Sequence, residues 1–183
     1  MQDQILHLKD FLSQEYFENI VNIINDISYN ENYHLSWKYS GASMKTQNIE
    51  FFWMCSLDKE KFFTEELFNS IKEKIYKLTQ EKVSLKRVYL NGQTYGQQGY
   101  MHPDDFYDTS RTLLIYCNKE WEKNWAGGTV FDFGFDSRVF FPFPNSAIYF
   151  DATIFHHAQP VSKNFNDLRV TLAYKLEVET DDE

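Results

Sequence analysis

Residues 168–178 read LRVTLAYKLEV and form the last of several short apolar runs in the second half of the chain. The earlier runs are RTLLIYC at 111–117, TVFDF at 129–133, RVFFPF at 138–143 and SAIYF at 146–150. Gly, Pro and Asn residues, which favour turns, stand between some of these runs. Short β-rich runs at this spacing are typical of a β-sandwich, a barrel or a jelly roll. We therefore predict a β core over residues 82–178.

Residues 1–80 carry the periodicity of helices instead. After a candidate N-cap at Ser13, apolar residues recur at helical spacing, namely Phe17, Ile20, Val21 and Ile24. A second stripe follows a candidate cap at Thr64 and comprises Leu67, Ile71, Ile75 and Leu78. The predicted fold is α+β, with a double-stranded β-helix (jelly roll) core and two N-terminal helices packed on one outer face. We expect one domain over residues 1–183, in which residues 1–80 are a helical support region.

The amino-acid composition and net charge limit the kinds of molecule that the protein is expected to bind. The chain has 183 residues, 43% of them hydrophobic, and a formal net charge of -9. So acidic a chain is a poor match for the phosphate backbone, and we expect no nucleic-acid partner. Cys55 and Cys117 have no metal or redox spacing, which favours reduced thiols and a cytoplasmic protein. We see neither a secretory signal nor the stretch of about 18 apolar residues that a membrane helix needs.

Three residues of the β half have the chemistry of a metal site. His102 and Asp104 are two positions apart, so on an extended segment both side chains point to one face. His156 lies far enough along the chain to return on a later strand and supply a third ligand. Two imidazoles and one carboxylate leave coordination positions open, as in the facial triad of non-haem Fe(II) oxygenases. A single His-x-Asp pair also arises by chance, usually as a hydrogen-bonding pair at the surface.

Three polar residues within apolar strands predict an anion site beside this metal site. Arg169 lies in the apolar run of residues 168–178, where a guanidinium is rarely tolerated without a partner. Its planar fork suits the distal carboxylate of a dicarboxylic acid such as 2-oxoglutarate. Thr171 should face the same way, and could add a hydroxyl. Tyr116 lies within LLIYC, and a buried phenol needs a hydrogen-bond partner that an anion beside Arg169 would supply.

Residues 95–176 resemble the 2-oxoglutarate/Fe(II) oxygenase superfamily, in particular its prolyl hydroxylase-like branch. The resemblance lies in YGQQGYMHPDD, LLIYCNKEWEKNWAGGTVF, FDATIFHHAQPV and LRVTLAYK. It implies that His102, Asp104 and His156 bind Fe(II). It also implies that Arg169 and Tyr116 bind the C5 carboxylate of 2-oxoglutarate, and that Tyr95 lines the cosubstrate or substrate pocket.

The resemblance further implies a dioxygenase that couples oxidative decarboxylation of 2-oxoglutarate to hydroxylation of a C–H bond. O₂ is then a cosubstrate and ascorbate an expected reductant. The branch points to a prolyl residue in a peptide or protein, and a free amino acid or small metabolite is the alternative substrate. Residues that select substrate usually lie on loops, which we place at residues 30–60, 96–110 and 133–137.

Two further alternatives belong to other classes. A cupin-like metal enzyme could use the same jelly roll without 2-oxoglutarate, but Arg169 and Tyr116 would then lack a purpose. A binding or structural jelly roll would contain the triad only by accident. The ligand register is also open, because His156 and His157 are adjacent and face opposite ways on a strand. The His-x-x-x-Pro spacing to Pro160 favours His156 as the ligand.

Overall fold

The computed structural model of the protein describes residues 5–30, 33–42 and 50–180. Its α-helices are α1 (Gln14–Asp26) and α2 (Leu67–Thr79). The strands of the described residues are β1 (Ile5–Leu8), β2 (Lys38–Ala42), β3 (Glu50–Ser56), β4 (Val83–Gln93), β5 (Ser110–Tyr116), β6 (Thr129–Asp132), β7 (Ser137–Phe140), β8 (Ala147–Asp151), β9 (His156–Ala158) and β10 (Arg169–Val178). No helix within these residues is long and apolar enough to cross a membrane.

The strands form two antiparallel sheets. The larger has the order β1-β8-β5-β10-β4-β3-β2, and the smaller has the order β7-β6-β9. A cluster of buried side chains from both sheets, including Leu114, Phe131, Ile148 and Phe150, fills the space between them. The predicted jelly roll with two supporting helices is confirmed.

Strand β10 lies near the centre of the larger sheet and shows how its two faces differ. Val170, Leu172, Tyr174 and Leu176 belong to the cluster that packs against the helices. Full burial of one large apolar side chain contributes about 1.5–3 kcal/mol to stability, so this face anchors the sheet. The alternate residues Arg169, Thr171, Ala173 and Lys175 face the interior of the jelly roll, because successive strand residues point to opposite faces.

The two helices pack on the outer face of the larger sheet, as predicted. The hydroxyl of Ser13 accepts a hydrogen bond from the amide of Tyr16 at 3.2 Å, so the predicted cap of α1 is confirmed. The prediction of a cap at Thr64 is wrong. Thr64 lies within a π-helical turn, Phe62–Glu66, and its hydroxyl donates to the carbonyl of Glu60 at 3.1 Å. Leu78 is also largely exposed and does not extend the buried stripe.

The first part of the chain supplies strands as well as helices. Strand β3 pairs with β4, and β2 pairs with β3, so residues predicted as an irregular loop extend the larger sheet. Strand β1 pairs with β8 at the other edge. The expected helical support region therefore also contributes to the sheet of the β core.

Candidate metal and anion site

His102, Asp104 and His156 converge at the mouth of the jelly roll. One ligand atom from each lies within 4.8 Å of the other two. His102 Nε2 is 3.7 Å from Asp104 Oδ1, and His156 Nε2 is 3.5 Å from Asp104 Oδ2. Among the described residues, this is the one cluster of at least three His, Cys, Asp or Glu side chains that could hold a metal ion.

Both imidazoles are oriented by backbone carbonyls. His102 Nδ1 lies 2.6 Å from the carbonyl oxygen of Tyr100, and His156 Nδ1 lies 2.9 Å from that of Ile154. A carbonyl can only accept a hydrogen bond, so each Nδ1 carries a proton and, in the neutral ring, Nε2 has the lone pair. This arrangement fixes the tautomer that a metal requires, with Nε2 of both rings directed at the carboxylate.

The chain places Asp104 by an irregular segment rather than by a strand. His102 forms a single antiparallel bridge with His156, after which Pro103 cannot donate to a ladder. The amide of Asp104 then donates to the carbonyl of Ala152 at 2.8 Å. His102 and Asp104 are therefore brought together by two backbone contacts, one to His156 in β9 and one to Ala152 just before that strand.

The carboxylate of Asp104 is buried and strongly held. Its Oδ2 accepts a hydrogen bond from Thr112 Oγ1 at 2.7 Å and forms an ion pair with Lys175. Burial opposes ionisation, but the neighbouring side chains of Lys175, His156 and His102 together hold the pKa of Asp104 well below its usual range. The carboxylate is therefore ionised near neutral pH, as a metal ligand must be.

The two histidines differ in their surroundings. His156 is 6% exposed and contacts Phe131 and Phe150, with ring centroids 5.5 and 4.8 Å away. Burial lowers the pKa of His156 to about 4. The pKa of His102 is raised, chiefly by the neighbouring Asp104 carboxylate. In the metal-free protein His156 is thus neutral at pH values where His102 still holds a proton.

Arg169 is a buried cation at the start of β10. It is 2% exposed, and no carboxylate of the described residues lies within ion-pair distance. Neutral oxygens accept its hydrogen bonds: Nε donates to the Gly127 carbonyl at 2.5 Å and Nη1 to Gln93 Oε1 at 2.9 Å. Burial lowers its pKa, but a guanidinium remains charged at physiological pH. A buried charge without an opposite charge is the expected feature of an anion site.

Tyr116 lies beside Arg169, as the sequence predicts. The guanidinium carbon is 5.6 Å from the centroid of the Tyr116 ring. The Tyr116 hydroxyl donates to Thr129 Oγ1 at 2.7 Å, and Arg169 Nη2 donates to the same oxygen at 3.2 Å. Burial raises the pKa of Tyr116, so the phenol stays protonated and can donate. Thr171 is buried and pairs with Tyr116 across β10 and β5.

Two other predicted residues lie nearer the surface. Tyr95 is 65% exposed and forms a single bridge with Val161, outside the buried cluster around Arg169. His157 is not in the metal cluster, and its Nδ1 lies 3.0 Å from the carbonyl of Gly99. The geometry therefore favours His156 over His157 as the ligand.

Solved structures match the fold, whereas no family model and no curated protein sequence matches the chain. A Pseudomonas putida prolyl-4-hydroxylase has a TM-score of 0.69 at 11% identity, with 98% of this chain and 95% of that one covered. A Trichoplax adhaerens prolyl hydroxylase, solved with a hypoxia inducible factor peptide fragment, has a TM-score of 0.68 at 10% identity, covering 96% and 84%. SnoN, a non-heme alpha ketoglutarate dependent epimerase of nogalamycin biosynthesis, has a TM-score of 0.73 at 9% identity, covering 98% and 78%.

This chain has the 2-oxoglutarate/Fe(II) oxygenase fold. At such low identity the likeness concerns the fold, and at that level the resemblance stated from the sequence is confirmed. Within the oxygenase fold, the donor set of two imidazoles and one carboxylate fits Fe(II) with positions left open. The buried guanidinium of Arg169, which has no acidic partner among the described residues, fits the far carboxylate of a keto-diacid.

Several polar residues of the site escaped sequence reasoning. Lys175, Thr112, Gln93 and Thr129 contact Asp104 or Arg169 directly. Lys175 could have been predicted from the sequence, because it lies in the same apolar strand as Arg169 and, by the alternation of strand residues, on the same inward face. Asn91, opposite Thr171 in β4, holds a buried side-chain oxygen with no hydrogen-bond partner among the described residues. That orphaned acceptor faces the same interior.

Proposed function

We propose that this protein is an Fe(II)- and 2-oxoglutarate-dependent oxygenase that hydroxylates a C–H bond, with a prolyl residue of a peptide or protein as substrate. The convergence of His102, Asp104 and His156 carries the proposal. Their ligand atoms lie within 4.8 Å of one another, and carbonyls hold both Nδ1 atoms so that both Nε2 atoms remain available. A His-x-Asp pair that arose by chance at the surface would not be expected to have both a third converging ligand and carbonyl-bound Nδ1 atoms.

The chain's own residues bind and orient. His102, Asp104 and His156 hold the metal, which together with 2-oxoglutarate and O₂ supplies the oxidising chemistry when bound. Arg169 and the Tyr116 hydroxyl bind the C5 carboxylate of the cosubstrate, and Thr171, which is paired with Tyr116 across β10 and β5, adds a buried hydroxyl. Phe131 and Phe150 cover the inner side of His156 and exclude water from it. Ascorbate, as a reductant, would act on the loaded enzyme and needs no further residue.

Exposed aromatic side chains around the mouth support a peptide substrate. Phe106 follows the metal-binding segment and is 82% exposed, and Tyr107 beside it is also largely exposed. Phe133 and Phe135 are exposed at the turn between β6 and β7. Next to this turn, the amide of Asp132 donates to the carbonyl of Phe155 at 2.9 Å. An extended proline-containing segment binds well to exposed aromatic rings, since its backbone is already ordered.

A small-molecule substrate is the alternative. Oxygenase-fold proteins that resemble this chain include an epimerase and a carbocyclase of nogalamycin biosynthesis. A free amino acid or small metabolite would need only the interior of the jelly roll and not its exposed rim. A cupin-like enzyme without 2-oxoglutarate has less support, because it leaves the buried charge of Arg169 without a function.

Succinate release from 2-oxoglutarate under air tests the proposal. We expect Fe(II)-dependent succinate formation that proline-containing peptides stimulate, with a mass increase of one oxygen atom on the peptide. We expect His156→Ala to abolish succinate formation. His157→Ala, assayed at the same protein concentration, should retain it. Stimulation by free amino acids alone would favour the small-molecule alternative. No Fe(II)-dependent succinate from the wild-type protein would contradict the oxygenase.

A further inference from the structure

Lys175 is a largely enclosed cation, with 20% of its side chain exposed, that contacts the candidate metal ligand directly. It lies on β10, six positions after Arg169 and on the same inward face. Its ammonium forms an ion pair with Asp104 Oδ2 and lies 3.3 Å from Thr112 Oγ1. The ammonium also lies 5.9 Å from the centroid of the Tyr89 ring. Oxygen atoms on two different segments thus accept from one ammonium.

The oxygen that Lys175 contacts also faces the candidate metal position. Asp104 Oδ2 is 3.5 Å from His156 Nε2, the lone-pair nitrogen of the second imidazole. In the metal-free protein, Lys175 is therefore the positive charge that compensates this buried carboxylate. A buried carboxylate without such a partner is strongly destabilising. A divalent metal bound by Asp104 would be a second cation close to the first.

Asp104 does not need Lys175 to keep its position. Thr112 Oγ1 donates to Oδ2 at 2.7 Å, and the main-chain amide of Asp104 donates to the Ala152 carbonyl at 2.8 Å. Neither of these two hydrogen bonds is made by the ammonium. The contribution of Lys175 to the metal site is therefore its charge rather than the placement of the ligand.

We propose that Lys175 is the resident counter-ion of Asp104, which stabilises the metal-free protein and weakens its affinity for the divalent metal. The proposal rests on the metal site of the proposed function. Like charges in a site of low dielectric repel strongly, so removal of the ammonium should favour the metal. Removal should also leave the metal-free protein with an uncompensated buried charge.

The test is calorimetric titration with Mn(II), which needs neither O₂ nor 2-oxoglutarate, together with melting temperatures before and after metal addition. Lys175→Met keeps an apolar stem of similar length and removes the charge. We expect a lower melting temperature without metal, a larger increase on adding Mn(II), and a dissociation constant tighter by about tenfold or more. Lys175→Arg should behave as the wild type does.

Lys175→Gln provides a second neutral variant that keeps a hydrogen-bond donor and remains testable if the Met variant does not fold. It should also bind Mn(II) more tightly, whereas a pure positioning role predicts unchanged binding. Lys86→Met is the matched control. Its ammonium pairs with Asp105 and Glu177 near the surface, so its loss should leave the Mn(II) affinity unchanged.

The outcomes separate this proposal from the function on which it rests. Suppose that the wild type binds Mn(II) and that both neutral variants bind it equally or more weakly. This result would overturn the proposed counter-ion role of Lys175 but not the metal site. A lower melting temperature with an unchanged metal-induced increase would show that Lys175 contributes only to folding, and would overturn it too. No Mn(II) binding by the wild type would contradict the metal site itself and the counter-ion with it.

Discussion

His102 and His156 are joined by two backbone hydrogen bonds. The amide of His102 donates to the carbonyl of His156 at 3.0 Å, and the amide of His156 donates back at 2.9 Å. Their ring centroids lie 4.9 Å apart as a result. The main chain, rather than a metal, thus fixes the spacing of the two imidazoles. A site that is ordered before its ligand arrives loses less conformational entropy on binding.

The adjacent histidines should differ sharply in metal binding. His156→Ala removes an Nε2 atom that faces Asp104, whereas His157 hydrogen-bonds to Gly99 away from the cluster. We expect the first variant to lose Mn(II) binding by at least about 100-fold and the second to stay within a few-fold of the wild type. Calorimetric titration of both measures this. The reverse order would show that His157 is the ligand.

Arg169 should control cosubstrate affinity without controlling metal affinity. Charge-assisted hydrogen bonds contribute about 1.5–3 kcal/mol, so Arg169→Gln should weaken 2-oxoglutarate binding by about 10- to 100-fold. Binding of 2-oxoglutarate to the Mn(II)-loaded protein measures the effect, and Mn(II) affinity in its absence is the internal control. Arg138→Gln, at an exposed arginine, should change neither. Unchanged 2-oxoglutarate affinity in Arg169→Gln would mean that another residue binds the C5 carboxylate.

Proton release on metal binding should report the two histidines separately. The pKa of His156 is lowered to about 4, so this ring is already neutral at pH 6, while His102, whose pKa is raised, still holds a proton. Asp104 is ionised there too. At about pH 6 one proton should therefore leave per Mn(II) bound, and metal affinity should rise with pH until His102 is neutral. Titrations in buffers of different ionisation enthalpy count the protons. A count near two would place a proton on His156 as well.

Gly127 should be required for the placement of Arg169. Its φ is +66°, and a Cβ there would lie 2.9 Å from a Trp121 ring atom and 3.1 Å from Arg169 Cδ. Gly134 has a φ of +84° with nothing within 4 Å of a Cβ, so Gly134→Ala serves as a control for backbone strain alone, at about 1–2 kcal/mol. Gly127→Ala should lower the melting temperature more than Gly134→Ala and also weaken 2-oxoglutarate binding. If Gly127→Ala and Gly134→Ala changed the melting temperature and the 2-oxoglutarate affinity equally, this role of Gly127 would be contradicted.

The second half of the fold could be predicted because its strands alternate. In β10 the outward residues are apolar, and Arg169 stands out on the inward face. The neighbourhood of Arg169 and Tyr116 follows from that pattern and from the antiparallel pairing of β10 with β5. Strand β3 reads EFFWMCS without alternation, and Trp53 within it packs against Tyr29 and Tyr39. Apolar residues on both faces leave no period of two to detect.

The site was predicted where the chemistry of single residues is unusual and missed where it depends on register. His102 and His156 belong to a residue type that occurs only five times in the chain, and Asp104 stands two positions from one of them. The pairing of Lys175 with Asp104 depends on how the irregular segment after His102 lies across β5 and β10, and no local pattern encodes it. Thr129 and Gln93 are common residues whose part in the anion site depends entirely on Arg169 lying between them.

A crystal structure of the protein with Mn(II) and 2-oxoglutarate, prepared without O₂, tests the central claim most directly. We predict one anomalous scatterer coordinated directly by Nε2 of His102, a carboxylate oxygen of Asp104 and Nε2 of His156. We also predict the distal carboxylate of 2-oxoglutarate against Arg169 and Tyr116. Metal bound elsewhere, or 2-oxoglutarate density away from Arg169, would contradict the claim.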